Sequence, residues 1–321
     1  MTHGREAELE NDRQPNLRQK LMPGNQAASC TSHAGKWLFT NNWCPRCRNV
    51  TAIIFCLLPK VLDAISGLTP RHIRFPNTLQ KQQETKQGFY LISRFPHVLG
   101  AIDCTHVRLV PPAATEHLYR NRKHTHSINV QAIVDHQGLF TNIVAKYPGS
   151  VHDSFICCHS TINQHFQDGR YGNGLLVADQ GYGIQPWILT LFGNPSTTAE
   201  RAYNDADRRT RSIVERTFGI LKSRFRCLDI TGGSLLYSPE MVWKIILTCA
   251  ILHNFCIRRN IPFLEPEPHM PEEEEEEDGG LQHEGNQQNT AAGVRRRQHI
   301  VNNFLKLITI TTVLTDVNKH R

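Results

Sequence analysis

Alternating apolar and polar residues in the middle of the chain predict β-strands. The clearest alternation runs through SINVQAIV, where four apolar residues share one side and Asn129 and Gln131 fall on the other. Turn residues between Asp135 and Gly138, followed by the apolar stretch LFTNIVAKYP, predict a hairpin. HVLGAIDCTHVRLV before the hairpin and GLLVADQGY after it predict two more strands, so we expect a central sheet.

Apolar residues at helical spacing predict helices after the strands. Arg209–Leu228 carries a stripe of apolar residues that includes Phe218 and Leu221, with Glu215 off the stripe. Pro239–Arg259 predicts a second and more apolar helix. Strands combined with helices in this way indicate an α/β fold.

Shifts in composition divide the chain into five segments. These are a poorly defined and largely disordered N-terminal region 1–58, a helical lead-in 59–96, an α/β domain 97–262, an acidic linker 263–294 and a basic and apolar tail 295–321.

The composition narrows the classes of protein that this chain can belong to. No apolar run reaches the roughly 18–20 residues that a membrane-spanning helix needs, and the start MTHGREAELENDRQ lacks the pattern of a secretory signal. We therefore expect no membrane partner, and reduced thiols for the ten cysteines in the cytosol or nucleus. The oligomeric state is left open.

The net charge of +7 conceals a strongly basic chain. The run Glu272–Asp278 carries seven acidic charges, so the remaining residues sum to +14. A polypeptide this basic favours polyanions, of which nucleic acid is the first candidate, although a solubilising surface is the ordinary alternative.

Three acidic residues, each in a short motif of its own, are the strongest candidates for chemistry. They are Asp103 in GAIDCTH, Asp153 in GSVHDSF and Glu215 in IVERTFG. Carboxylates that folding gathers at one point repel each other, and a divalent cation such as Mg²⁺ or Mn²⁺ offsets that repulsion. A pair of such metals would support an in-line displacement at phosphorus, as in nucleases.

Taken singly, each acid also has an ordinary structural explanation. Asp103 could be a strand residue that bonds to the backbone, and Asp153 could cap a helix that starts at Ser154. Glu215 could form a surface ion pair with Arg211 or Arg216. The joint occurrence of all three acids in a basic chain favours the metal site.

Asp179, at the end of the third predicted strand, is a candidate fourth ligand, because sites form at the carboxyl ends of strands in α/β sheets. Its alternative is a turn aspartate before Gly181. His106 and His152 stand near acidic candidates and are either supporting donors or ordinary structural histidines. A phosphohydrolase built on His152 and Asp153 is a weaker alternative, since that chemistry needs more histidines on a helical scaffold.

Basic residues beside these acids are candidates for contacting a phosphodiester backbone without reading its sequence. The candidate DNA-binding residues are Arg120, Arg122, Lys123, Arg211, Lys222 and Arg224.

Several motifs taken together resemble the Harbinger transposase-derived nucleases of the DDE endonuclease superfamily. The resemblance extends from about Pro59 to Ile261. It is carried by GAIDCTHVRL, YPGSVHDSF, LLVADQGYGIQPWILT, RRTRSIVERTFGILKSRFRCL and AILHNFC. It implies a ribonuclease H-like fold, with a mixed five-stranded sheet flanked by helices, and makes 97–262 the DDE nuclease domain.

The resemblance also implies the chemistry of the site. Asp103, Asp153 and Glu215 would be catalytic and bind metal, Asp179 would be a further metal ligand, and Mg²⁺ or Mn²⁺ would support two-metal hydrolysis of DNA. It further implies a protein without autonomous transposition, found in the nucleus and also the cytoplasm, that depends on a Myb-like DNA-binding partner.

This chain departs from the family pattern at three positions near the acids. Cys104 replaces a glycine, and Ala178 and Gln180 replace a glycine and a serine in the third motif. These changes motivate a rival hypothesis, a catalytically silent nuclear DNA-binding or scaffold protein.

Overall fold

A mixed five-stranded sheet forms the centre of the computed structural model, which describes residues 45–263 and 289–303. The strand order is β3-β2-β1-β4-β5, with β1 antiparallel to β2 and parallel to β4. The expected mixed sheet flanked by helices is confirmed. The strands are β1 (Val98–Arg108), β2 (Ser127–Val134), β3 (Phe140–Pro148), β4 (Leu175–Ala178) and β5 (Ile188–Leu189).

Helices cover both faces of the sheet. They are α1 (Pro45–Ser66), α2 (Thr69–His72), α3 (Leu79–Ser93), α4 (Glu116–Tyr119), α5 (Asp153–Cys158), α6 (Thr161–Gln167), α7 (Thr198–Arg224), α8 (Pro239–Arg258) and α9 (residues 291–303). Short 3₁₀ turns occur at Ala113–Thr115, Gln180–Tyr182, Arg226–Leu228 and Ile230–Gly232.

The two faces of the sheet have separate hydrophobic cores because side chains alternate along each strand. Ala101 and Val177 face the first core, to which α3, α7 and α8 contribute. Ile102 and Leu176 face the second core, to which α5 and α6 contribute. Each large apolar side chain removed from water in these cores stabilises the fold by about 1.5–3 kcal/mol.

The short strand β4 creates the opening in which the acidic residues lie. Its last register pair joins Ala178 to Ile102 of β1. Beyond that pair β4 no longer flanks β1, whose residues change from fully buried at Ile102 to partly exposed at Asp103. Farther along, the Leu235 amide donates to the Arg108 carbonyl. The middle of a central strand therefore reaches solvent.

Helix α7 begins earlier than its apolar stripe predicts. Thr197 and Glu200 form a capping box in which each side chain accepts from the other residue's backbone amide. The helix ends at Arg224, so Phe225 and Leu228 of the predicted helix lie beyond it. The capping box provides hydrogen bonds for the first turn of the helix, where Ala199 packs against the first core.

Two other helices differ from simple expectation. Helix α1 continues through Pro59, where the sequence suggested a boundary, although proline has no amide hydrogen for the helical bond. Helix α8 is long and apolar enough to cross a membrane by length and composition. Val242, Ile246 and Ala250 lie in the first core, so α8 is a core helix in this structure.

The segment 289–303 packs against the domain rather than continuing the linker. Arg296 donates to the carbonyl oxygens of Pro186 at 2.5 Å and Asn173 at 2.6 Å. Ile300 and Val301 are buried in the first core. Most of the predicted N-terminal region, the acidic run and residues 304–321 lie outside the described residues.

Candidate active site

Asp103 and Asp179 lie side by side where β4 ends. They follow the register pair of Ile102 and Ala178. Asp103 continues β1, whereas Asp179 lies just beyond the end of β4 and caps the 3₁₀ turn Gln180–Tyr182. Asp103 pairs with Ala132 across β2, and Ala132 belongs to the first core, so Asp103 points to the face that α7 covers.

Burial raises the pKa of Asp103 from its ordinary value to about 6. Two effects oppose this rise, namely the hydrogen bond that Asp103 Oδ1 accepts from the Cys104 amide at 2.8 Å and the charge of Arg211. The negative charges of Asp179 and Asp153 add to the rise. Three carboxylates therefore share one electrostatic environment.

Asp153 approaches β1 from the other face of the sheet. It is the first residue of α5, where His152 takes the N-cap position without a side-chain bond. Asp153 Oδ1 accepts a hydrogen bond from Asn129 Nδ2 at 2.7 Å, and Asn129 lies opposite His106 of β1. Asp153 is therefore not the cap of a helix starting at Ser154, and it holds β2 and α5 together.

Glu215 forms the surface ion pair that was its ordinary alternative. Arg211 Nη2 lies 3.2 Å from Glu215 Oε1, and the two side chains are 17% and 52% exposed. The pair runs along α7, four residues apart. Asp179 likewise accepts a bond from the Gly181 amide at 3.4 Å, the turn role that was its alternative.

Asp207 is a charged residue of this region that the sequence analysis missed. It lies on α7, fully buried, and neither of its carboxylate oxygens has a hydrogen-bond partner among the described residues. Burial raises its pKa to about 7, against the opposing charges of Arg211 and Arg208. The available signal was its spacing, because it precedes Arg211 by the same four residues that separate Arg211 from Glu215.

Cys104, one of the departures from the family pattern, has a structural partner. Its Sγ atom lies 3.1 Å from the hydroxyl of Tyr182, which is buried. Burial and the charge of Asp153 raise the pKa of the Cys104 thiol well above its ordinary value. The thiol is therefore neutral and acts as a packing and hydrogen-bonding group.

The two candidate histidines bind protein groups rather than the acids. His106 Nδ1 lies 2.9 Å from Ser127 Oγ, and His152 Nδ1 lies 2.7 Å from Arg122 Nη2. Burial lowers the pKa of His106, while the charge of Asp153 opposes that change.

The six candidate DNA-binding cations differ in accessibility. Arg120, Arg122 and Lys123 are exposed in the loop before β2. On α7, Arg211 is paired with Glu215, burial lowers the pKa of Lys222, and Arg224 packs over the Phe263 ring. The loop therefore offers the more accessible cations.

Comparisons with known proteins show what this chain is similar to. Residues 102–254 match the family model described as DDE superfamily endonuclease. The human protein named "Putative nuclease HARBI1" is 35% identical over 218 residues, which are 66% of this chain and 62% of that protein. The Xenopus laevis protein of the same name is 32% identical over 215 residues, 64% of this chain and 62% of that protein. Residues 102–254 are therefore similar to the DDE superfamily endonucleases.

More distant relatives extend the comparison to plants. The Arabidopsis thaliana "Protein ALP1-like" is 26% identical over 225 residues, which are 65% of this chain and 54% of that protein. The chain spans less than two thirds of the length of each of these relatives. No solved structure matches it.

The region matched by the family model contains donors that suit a divalent cation. Asp103, Asp153, Asp179 and Glu215 all fall within residues 102–254, and carboxylate oxygens are the ligands that Mg²⁺ and Mn²⁺ prefer. Within residues 45–263 and 289–303, however, no three His, Cys, Asp or Glu side chains stand close enough to hold a metal ion. The donor chemistry fits a metal, and side chains must move to complete a site.

Proposed function

We propose that this protein is a metal-dependent DNA endonuclease that hydrolyses phosphodiester bonds and does not transpose autonomously. The observation that supports it most directly is the position of Asp103 and Asp179 directly after the last register pair of β1 and β4, where the charge of Asp179 acts on Asp103. We expect the protein in the nucleus and also in the cytoplasm, as the resemblance implies.

Asp103 and Asp179 would hold the cation, and Glu215 would join them once it leaves Arg211. When bound, the metal would supply charge neutralisation at the phosphate and an acidified water. Asp153 stays a candidate ligand, but its bond to Asn129 and its position on the opposite face favour a supporting role. In our proposal the three metal-binding acids are therefore Asp103, Asp179 and Glu215, with Asp179 in the place of Asp153.

DNA is the substrate that the surrounding charge favours. Arg120, Arg122 and Lys123 form an exposed basic loop, joined to the start of α5 through the contact between Arg122 and His152. Such cations would bind phosphates without distinguishing bases. A Myb-like partner would then supply the choice of sequence, and DNA footprints made with and without such a protein would test that role.

The decisive experiment combines metal binding with cleavage of supercoiled plasmid DNA. We expect Asp103→Asn, Asp179→Asn and Glu215→Gln to lose Mn²⁺-dependent cleavage by at least about 100-fold, as removal of groups that stabilise a transition state does. Asp153→Asn should retain more activity than these three. Asp205→Asn is the matched control, because Asp205 is an exposed acid on α7 that forms an ion pair with Arg208. Cleavage that survives in Asp103→Asn and Asp179→Asn would contradict the assignment.

A silent DNA-binding or scaffold protein is the second candidate. The ion pair between Arg211 and Glu215 favours it, because that pair keeps one of the proposed ligands from a metal. On this hypothesis the wild-type protein would shift DNA in a gel and show no cleavage with Mg²⁺ or Mn²⁺. Metal-dependent cleavage by the purified protein, lost in Asp103→Asn, would exclude it.

A further inference from the structure

Arg211 lies near three carboxylates, of which Glu215 and Asp103 belong to the proposed site and Asp207 does not. It pairs with Glu215 at 3.2 Å, and it is the cation that acts on Asp103. Among the cations that lower the pKa of Asp207, Arg211 has the largest effect. Only 17% of its side chain is exposed, and within the described part of the chain its Nε atom has no hydrogen-bond partner. An arginine in this position reduces the repulsion among acids that share one environment.

Asp207 offers Arg211 a second partner one turn earlier in α7. Residues four apart on a helix are neighbours, so Asp207, Arg211 and Glu215 lie along one side of it. Asp207 is fully buried, and none of the described groups donates a hydrogen bond to either of its oxygens. An unpaired buried carboxylate is costly, and a guanidinium turned toward it would relieve that cost.

The other cations near Asp207 are already engaged. Arg208 forms an ion pair of 3.1 Å with an exposed acid. Arg297 donates to two main-chain carbonyls, and its guanidinium carbon lies 3.8 Å from the centre of the Phe192 ring. Arg211 is therefore the cation whose change of partner would serve both Asp207 and Glu215.

We propose that Arg211 is an internal counter-ion that holds Glu215 in the metal-free protein and turns to Asp207 when a divalent cation binds. This inference rests on the metal site proposed above. It makes Arg211 and Asp207 positioning residues, because they act on the metal through Glu215 and need not touch substrate.

Calorimetric titration of the full chain with Mn²⁺ at low ionic strength and pH 8 tests the inference. Arg211→Gln frees Glu215 and removes a positive charge, so it should tighten Mn²⁺ binding by about 10-fold, which corresponds to about 1.4 kcal/mol. Asp207→Asn removes the second partner and should weaken binding by a similar factor. Arg216→Gln is the matched control, since Arg216 is an exposed arginine of the same helix and should change affinity by less than about 2-fold.

The double variant Asp207→Asn/Arg211→Gln distinguishes a change of partner by Arg211 from two independent effects of charge on metal binding. If Asp207 acts only by receiving Arg211, the double variant should bind Mn²⁺ as tightly as Arg211→Gln alone. Independent effects that add in the double variant would overturn the proposal. So would an Arg211→Gln variant that is folded, by its circular dichroism spectrum, and binds no more tightly than wild type.

The outcome also distinguishes this inference from the proposed function. If Mn²⁺ binding is lost in Asp103→Asn but unchanged in Arg211→Gln and Asp207→Asn, the counter-ion role alone is overturned. The absence of Mn²⁺ binding in both wild type and Arg211→Gln would overturn the metal site and the counter-ion role together. Binding in Arg211→Gln but not in wild type would support the counter-ion role.

Discussion

At the residue scale, the most unusual feature is the buried and unpaired carboxylate of Asp207. Burial raises its pKa from 3.8 to about 7 in the folded protein. As pH rises between these values, the unfolded chain releases this proton and the folded protein keeps it, so Asp207 lowers stability progressively. Above about pH 7 the penalty is complete and constant.

Replacing Asp207 by asparagine should remove that penalty. We expect the free energy of unfolding of Asp207→Asn, relative to wild type, to increase by about 2–3 kcal/mol between pH 5 and pH 8 in urea denaturation. Asp205→Asn should show no such trend, because Asp205 is exposed and forms an ion pair with Arg208. A difference that is constant with pH would show that Asp207 is ionised throughout. The same variant should bind Mn²⁺ more weakly, so stability and function oppose each other at this position.

Cys104 makes a second prediction at this scale. Cys104→Gly restores the glycine of the family motif but deletes the sulfur that contacts the Tyr182 hydroxyl. Leaving a buried hydroxyl without its partner should destabilise the protein by about 1–3 kcal/mol, as measured by chemical denaturation. Cys104→Ser keeps a polar atom at this position and should lose less stability than Cys104→Gly. Equal losses in both variants would show that the contact contributes nothing specific.

At the element scale, α7 carries Asp207, Arg211 and Glu215, so its stability affects the whole proposed site. Gly219 lies in this helix, one turn after Glu215, and a Cβ added there meets nothing within 4 Å. Gly219→Ala should therefore raise the free energy of unfolding by about 0.5–1 kcal/mol, because alanine loses less backbone entropy in a helix.

Gly138→Ala is the opposite case and serves as the control. Gly138 has a φ of +78°, and an added Cβ would lie 2.9 Å from Thr217 Oγ1 of α7. This substitution should destabilise the hairpin turn, since residues with a Cβ rarely adopt that backbone conformation. Thermal denaturation of both variants should show shifts in opposite directions, and a stabilised Gly138→Ala would contradict this account of the turn.

The elements also show what the sequence could and could not predict. Strand β2 alternates cleanly and was predictable, because each of its faces meets a different environment. The early start of α7 was not predicted from its apolar stripe, although Thr197 and Glu200 have the spacing of a capping box. The apolar stripe wrongly extended the C-terminal end of α7 to Leu228, which is buried but belongs to a 3₁₀ turn after the helix.

The candidate site residues could be named from the sequence, but their arrangement could not. Asp103, Asp153 and Asp179 all stood out in the sequence, but their neighbours depend on strand order and on where β4 ends. No pattern along the chain indicates that β4 has only the four residues Leu175–Ala178. This short length leaves Asp103 partly exposed to solvent. The ion pair of Glu215 was named as an alternative, while Asp207 required knowledge of what packs around α7.

At the scale of the whole molecule, charge is divided unevenly along the chain. The described domain carries the exposed cations of the loop before β2, whereas Glu272–Asp278, outside the described residues, concentrates seven acidic charges. In the proposed complex with DNA both charges would act on the DNA, because electrostatic effects at low salt extend about 10 Å or more from each group. The acidic run should therefore weaken DNA binding simply by lowering the net positive charge.

Replacing all seven acids of Glu272–Asp278 by glutamine tests this effect. The net charge would rise from +7 to +14, and affinity for a short DNA duplex at about 50 mM salt should increase several-fold. The gain should shrink toward zero at about 500 mM salt, where the Debye length is only a few ångströms. A control that converts the glutamates of the run to aspartate keeps the charge and should bind like wild type. A gain in DNA affinity that persisted at high salt would mean that the acidic run acts through a specific contact. Salt screens long-range electrostatic effects but has little effect on groups in direct contact.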